Sequence, residues 1–173
     1  MKKIFLVFLI IFSLSIYLLI GGFPIIIGNN GNTILNIEIP NNQTCNPLST
    51  IDFSTGDNKA ILLIDKDDFS ELPDGMPQRR VLICRENDVL QQMKKDFMFR
   101  ISGGDMATIG SELIVIKNDT IVLRTNIEVS KNNIGIQNEQ IGWAYSTNKL
   151  KLYDIFKEFK PYRNFVLDIE NID

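Results

Sequence analysis

Apolar side chains fill nearly every position of residues 4–27, which is the strongest pattern in the sequence. Two serines, the pair of Gly21 and Gly22, and Pro24 are the main interruptions, and no charge follows until Glu38. At a rise of about 1.5 Å per residue, residues 4–20 form about 26 Å of helix and residues 4–27 about 36 Å. The hydrocarbon core of a bilayer is about 30 Å thick, so this run is long enough to span a membrane.

A secretory signal peptide is the alternative interpretation, because two lysines before an apolar run also describe its first two regions. Its apolar core is about 7–15 residues long and ends at a small-residue cleavage site. The first alanine in the chain is Ala60, so no Ala-x-Ala site follows the run. We therefore expect an uncleaved anchor. Cleavage near Gly21 and Gly22, which would release a secreted factor, is the alternative.

The charges around the apolar run predict its orientation in the cell membrane. Lys2 and Lys3 precede the run and the next basic residue is Lys59, so the positive-inside bias keeps the N-terminus cytoplasmic. The next segment reads Gly-Asn-Asn-Gly-Asn, which predicts a flexible hinge. The sequence is thus divided into a transmembrane anchor or uncleaved signal at 1–27, a hinge at 28–32 and an extracytoplasmic domain at 33–173.

Beyond the hinge, the hydrophobic pattern changes between the strand period and the helix period. Asn118 and Asp119 separate two strand patterns and predict a tight hairpin. Apolar residues at helical spacing predict one helix over 86–99 and a second that Thr147 caps and Pro161 ends. Strand patterns occur at 33–39, 60–64, 80–84, 111–117, 120–129, 141–146 and 165–169, with a short strand at 50–53 left open.

These elements predict an α+β fold after a single N-terminal transmembrane helix. A mainly antiparallel sheet of about six or seven strands carries two amphipathic helices on one face. The apolar runs at 60–64 and 80–84 are expected in the middle of this sheet, covered on both sides. The domain is long enough to bury one hydrophobic core.

The composition limits the partners of this domain. The chain has 18 basic and 21 acidic residues, and Lys2 and Lys3 precede the apolar run, so the outer domain carries a net charge of about −5. Binding of nucleic acid and clamping of anionic lipids are not expected, because both need clustered lysines and arginines. We expect contact with the membrane through the N-terminal run, and an unknown protein or small-molecule partner.

The chain contains no histidine, which excludes several classes of enzyme. Ser-His-Asp and Cys-His catalysis, histidine general bases and most zinc sites with histidine ligands need that side chain. No motif predicts catalytic residues, a cofactor or a metal site. The enzyme alternative is a hydrolase that uses paired carboxylates, for which Asp105 and Glu112 are the candidates.

The segment Ser102-Gly103-Gly104-Asp105 is the candidate ligand-contacting loop. It is not a phosphate-binding P-loop, because residues 104–110 lack both the spacing and the lysine of that motif. The architectural interpretation is that the glycines supply positive-φ backbone, which turns the chain from the preceding helix into the strand at 111–117. Contact with a ligand is the alternative.

An acidic cluster after the strand at 60–64 also has two interpretations. It begins like a calcium loop, but Phe69, Ser70 and Met76 stand where a ligand, the turn glycine and the bidentate glutamate belong. We expect it to cap a short helical turn, with a weak calcium site as the alternative. The cluster consists of Asp65, Asp67, Asp68, Glu71 and Asp74.

The two cysteines, Cys45 and Cys84, lie in the predicted exported domain, where thiols tend to oxidise. A disulfide between them would stabilise the fold by roughly 4 kcal/mol in the chain-entropy model. The alternative is two reduced thiols, with Cys84 as a core residue inside an apolar run. Trp143 and Tyr145 make one face of their strand aromatic, and either core packing or an exposed recognition stripe explains them.

Together these patterns favour a membrane-anchored binding or interaction module with a small extracytoplasmic domain. An extracytoplasmic hydrolase with paired carboxylates is the first alternative. A secreted factor, released by signal cleavage, is the second.

Overall fold

The structure is a computed structural model that describes residues 2–21, 24–28, 44–104, 109–138 and 141–169. The strand predicted at 33–39 lies outside the described residues, as does most of the predicted hinge at 28–32. The helices are α1 (Lys2–Gly21), α2 (Asn87–Asp96) and α3 (Lys149–Lys157), with a short 3₁₀ helix at Lys66–Glu71. The strands are β1 (Ile25–Ile27), β2 (Thr44–Cys45), β3 (Asn58–Leu63), β4 (Val81–Cys84), β5 (Phe99–Ile101), β6 (Glu112–Lys117), β7 (Thr120–Val129), β8 (Ile134–Asn138), β9 (Gly142–Ser146), β10 (Lys160–Pro161) and β11 (Val166–Asp168).

The N-terminal apolar run is divided into a helix and a strand. The helix α1 ends at Gly21, and Ile25–Ile27 forms β1, because Pro24 and the glycines before it do not continue a helix. Among the residues that the structure describes, no helix has the length and hydropathy of a membrane span.

The predicted α+β fold is confirmed. The described residues form a nine-stranded sheet in the order β10-β4-β3-β6-β7-β8-β9-β5-β2, and every neighbouring pair in it is antiparallel. The predicted sheet of six or seven strands was too small, because β2, β5, β8 and β10 were not predicted. These strands are two to five residues long, and β8 and β10 contain a glycine and a proline.

Two predicted strands differ from the structure. Residues 50–53 form no strand, because the Leu48 carbonyl accepts from the Ile51 amide at 3.0 Å within a turn. The last strand, β11, does not join the main sheet. It pairs in parallel with β1, placing Ile25 opposite Val166 and Ile27 opposite Asp168. We call this pair the β1–β11 ribbon.

The predicted hairpin between β6 and β7 is confirmed. Asn118 and Asp119 both adopt positive φ, 47° and 60°, as a two-residue hairpin turn requires. The Asn118 side chain also accepts a hydrogen bond from the Asp57 amide at 3.0 Å. The hairpin is therefore fixed to the start of β3.

The helices α2 and α3 contact each other and pack on one face of the sheet, as predicted. Their ends differ from the prediction. The helix α2 ends at Asp96, and the chain enters β5 at Phe99. Asn148, not Thr147, occupies the N-cap of α3, because the Thr147 hydroxyl donates instead to the Met98 carbonyl at 3.2 Å.

The opposite face of the sheet holds a second, smaller apolar cluster under the ribbon. Leu167 and Ile169 are buried there, and Ile26 packs against the cluster. The sheet contributes Ile61, Leu63, Val81, Ile114 and Ile116. The segment that follows α1 is therefore part of the packed domain.

Candidate functional site

The predicted loop at Ser102, Gly103 and Gly104 is attached to β9. The Ser102 amide donates to the Trp143 carbonyl at 3.0 Å, and the Trp143 amide donates to the Gly104 carbonyl at 3.2 Å. Gly103 and Gly104 have φ values of 68° and 84°, which confirms the predicted positive-φ backbone. Asp105, the fourth residue of this candidate site, lies outside the described residues, so ligand contact by the loop stays a prediction.

We expect Gly104→Val to lower the free energy of unfolding by about 1–2 kcal/mol, because a β-carbon disfavours left-handed backbone. A β-carbon at Gly104 would meet no atom within 4 Å, so the loss reports backbone strain alone. Asp105→Asn, which keeps the shape and removes the charge, should change stability by less than about 0.5 kcal/mol. Urea denaturation of both variants measures the difference. Equal stabilities for Gly104→Val and the wild type would contradict the architectural interpretation.

The acidic cluster fixes the 3₁₀ helix to the sheet. The Asp65 carboxylate caps this helix by accepting from the Asp67 amide at 3.0 Å, which confirms the predicted capping role. The Ser111 hydroxyl accepts from the Asp65 amide at 2.8 Å and donates to the Asp68 carboxylate at 2.6 Å. Among the described residues, no group of three ligand-type side chains could hold a metal ion.

The structure favours the reduced alternative for the two cysteines. Cys45 and Cys84 are free thiols, and six strands of the described sheet separate β2 from β4. Both side chains are buried, so Cys84 is the core residue that the alternative interpretation predicted. Burial raises the pKa of Cys45 to about 11 and that of Cys84 to about 12. Neither is a reactive thiolate at neutral pH.

The Trp143 side chain is buried and does not form an exposed recognition surface. It lies on the sheet face opposite the helices, is only 7% exposed, and its ring covers Gly135 of the neighbouring strand. Tyr145, two residues further along β9, is half-buried. The structure therefore favours the packing interpretation for Trp143.

Glu112, the second carboxylate of the proposed hydrolase pair, is held by an arginine. Its Oε2 atom lies 3.0 Å from Nη2 of Arg124, whose side chain is 3% exposed. Asp105 is outside the described residues, so the predicted carboxylate pair stays untested. Glu112 also lines a pocket of about 80 Å³ with Asp65 and Arg80, a volume with room for only a few water molecules.

A larger cleft of about 460 Å³ lies beside the sheet edge and is lined by Arg79, Pro161, Tyr162 and Arg163. Pro161 pairs with Leu82, and the Tyr162 amide donates to the Val81 carbonyl at 3.0 Å, so β10 fixes one wall to β4. The Tyr162 hydroxyl donates to the Val166 carbonyl at 2.9 Å. Tyr162 therefore connects the cleft to the β1–β11 ribbon.

The described lining of this cleft carries positive charge. It contains no carboxylate, and within the described part of the chain neither Arg79 nor Arg163 forms an ion pair. Toward the described residues, the Arg79 guanidinium makes one hydrogen bond, a long contact of 3.5 Å with the Gln78 carbonyl. Planar guanidinium groups bind carboxylate and phosphate oxygens, so the cleft is a candidate anion site.

Local sequence patterns do not predict this site, because Arg79 and Arg163 lie far apart in the chain. The sequence feature that could have indicated a basic site is the adjacent pair Arg79 and Arg80 before an apolar strand pattern. The acidic net charge led to the expectation that anionic lipids are not bound, but a net charge does not describe how charges cluster locally.

No known protein family, no curated protein and no solved structure matches this chain. The functional evidence therefore consists of its own residues: the helix α1, the β1–β11 ribbon and the cleft beside it.

Proposed function

We propose that the protein is a binding module that α1 holds in a membrane, with its α+β domain on the extracytoplasmic side. The observation that carries this proposal is the exposure of apolar side chains on every face of α1. A helix that is apolar all round is stable where it is surrounded by protein core or by lipid. The exposed large side chains are Ile4, Phe5, Leu6, Val7, Phe8, Leu9, Ile10, Ile11, Phe12, Leu14, Ile16 and Tyr17.

The packing of the domain supports the same proposal. Neither hydrophobic cluster of the described residues includes a side chain from residues 3–17 of α1. Moving a large apolar side chain out of water is favourable by about 1.5–3 kcal/mol, so a helix that presents twelve of them strongly favours a hydrocarbon environment. The lysines at positions 2 and 3 favour a cytoplasmic N-terminus.

Binding is favoured over catalysis because several acidic side chains are already engaged in structural contacts. Glu112 is bonded to Arg124, and Asp65 and Asp68 hold the 3₁₀ helix. The cleft beside the sheet edge is lined by Arg79 and Arg163, whose guanidinium groups recognise carboxylate and phosphate oxygens. The hydrolase alternative stays a prediction, since it depends on Asp105.

We expect the full-length protein to stay in the membrane pellet after a carbonate wash. Ile10→Asp combined with Leu14→Lys should move it to the supernatant, because each central charge disfavours insertion by about 2.5–3.5 kcal/mol. Leu150→Lys is the matched control, since Leu150 is 73% exposed on α3 and lies far along the chain from α1. Immunoblots of pellet and supernatant measure the distribution.

Two results would contradict the proposal. If carbonate released the wild-type chain, the proposal that α1 is embedded in a membrane would be wrong. An intact mass that corresponds to a mature chain starting between Gly22 and Gly31 would instead support the secreted alternative.

A further inference from the structure

We infer that the cleft at Arg79, Tyr162 and Arg163 binds the phosphate group of an anionic lipid in the membrane that holds α1. This inference rests on the proposed function, since it places the domain next to that membrane. Its basis is the chemistry of the cleft, the apolar surface beside it and the short connection to α1.

Among the residues that the structure describes, the lining of the cleft presents two guanidinium groups and no carboxylate. Arg79 is half-buried and Arg163 is exposed, so one cation lies in the wall and the other at the mouth. A guanidinium presents several N–H donors in a plane and matches two phosphate oxygens at once. Tyr162 forms a fixed part of the cleft wall, because its hydroxyl group donates a hydrogen bond to the Val166 carbonyl.

The β1–β11 ribbon exposes apolar side chains beside this cleft. Ile25 and Ile27 are 53% and 51% exposed, and Phe165 and Val166 are 39% and 40% exposed. Tyr162 links the two features through its bond to Val166. Apolar side chains next to cations are typical of surfaces that lie in the lipid headgroup layer.

The chain connection favours a lipid phosphate over a free one. Gly21 ends α1 and Ile25 begins β1, so three residues join them. Even a fully extended chain covers about 14 Å over that interval. The headgroup layer on each side of a bilayer is about 5–8 Å thick. With α1 embedded, the ribbon is therefore held within reach of the headgroups.

The test uses the full-length chain in nanodiscs of phosphatidylcholine alone or of phosphatidylcholine mixed with phosphatidylglycerol. Amide hydrogen exchange is measured at Tyr162, which donates to Val81, and at Ile25, which donates to Phe165. We expect exchange at both amides to be about tenfold slower with phosphatidylglycerol, because the bound lipid holds the ribbon on the sheet edge. High salt should reduce this protection.

Arg79→Gln combined with Arg163→Gln should abolish the protection. The matched control is Arg100→Gln, which removes one exposed arginine from β5 near the opposite edge of the sheet and should keep it. If the double variant does not fold, Arg163→Gln alone provides the test, since the Arg163 side chain is exposed and makes no ion pair among the described residues.

The outcomes separate this inference from the proposed function. Failure to co-elute with either nanodisc overturns the membrane attachment itself. Co-elution with equal exchange in both lipid mixtures overturns the lipid site alone. Protection by millimolar inorganic phosphate in detergent micelles, without any effect of phosphatidylglycerol, also overturns the lipid assignment and identifies a free anion as the ligand.

Discussion

Gly135→Ala is expected to lower the free energy of unfolding by about 3 kcal/mol, the upper part of the range for overpacked cores. A β-carbon at this position of β8 would overlap Cη2 and Cζ2 of Trp143. The indole is 7% exposed and Gly135 is buried, so the ring cannot move aside without losing its packing. Gly135 does not have positive φ, and backbone strain therefore adds little. Urea denaturation followed by far-ultraviolet circular dichroism measures the loss, and it also applies to variants without Trp143.

A double-mutant cycle isolates the contact between Gly135 and Trp143. Trp143→Ala alone should be destabilising, because a large buried side chain is removed. Adding Gly135→Ala to Trp143→Ala should cost less than about 1 kcal/mol, since the overlapping ring atoms are gone. If Gly135→Ala changed the wild type by less than about 0.5 kcal/mol, the position of Trp143 over β8 would be wrong.

Glu112→Leu is expected to destabilise the fold by about 3 kcal/mol. The change removes the carboxylate that lies 3.0 Å from the Arg124 guanidinium and leaves that cation in a site where its side chain is 3% exposed. Breaking a buried ion pair on one side is costly, because the arginine loses the partner at 3.0 Å while its side chain stays largely shielded from water. The Glu112 side chain is 25% exposed, so Arg124→Leu leaves a carboxylate that water can still reach and should cost less.

The matched control is the variant that carries both Glu112→Leu and Arg124→Leu. An apolar pair of similar volume should recover much of the stability lost by Glu112→Leu, because no charge then remains buried. Thermal unfolding of the three variants measures the order. Equal losses for Glu112→Leu and Arg124→Leu would count against an asymmetric ion pair. Unchanged stability for Glu112→Leu, joined with loss of a hydrolytic activity, would support the catalytic alternative instead.

The sequence predicted the elements whose pattern is local and strong. The runs that became β3, β4, β6 and β7 were found because apolar residues fill or alternate along them. The hairpin at Asn118 was found because both turn residues tolerate positive φ. The capping role of Asp65 also follows from its position directly before the 3₁₀ helix.

The elements that were missed depend on partners far along the chain. The strand β10 contains Pro161 and has two residues, so only its pairing with β4 makes it a strand. The ribbon joins Ile25 to Val166 across most of the sequence, and no local pattern indicates such a parallel pair. The helix α2 also ended early, because Phe99 is buried as part of β5 and not as a further helical turn.

In the candidate site, too, the features set by neighbouring residues could be predicted, and those that depend on residues far apart in the chain could not. The positive φ of Gly103 and Gly104 could be predicted, because glycine supplies that conformation wherever the chain turns sharply. The arginine cleft could not, since Arg79 and Arg163 meet only after β10 has paired with β4. The sequence left the disulfide open for a related reason, because cysteine spacing contains no information on which strands lie between Cys45 and Cys84.

The ribbon also imposes an order on biosynthesis. Ile25–Ile27 leaves the ribosome early, whereas its partner Val166–Asp168 is made after every strand of the large sheet. Until that partner emerges, Ile61, Leu63 and Ile114 lack the Leu167 side chain that helps to cover them. A chain that stalls before residue 166 would thus present bare apolar surface, a feature that chaperones and proteases recognise. Closure of the ribbon marks a chain that has been translated through its last strand.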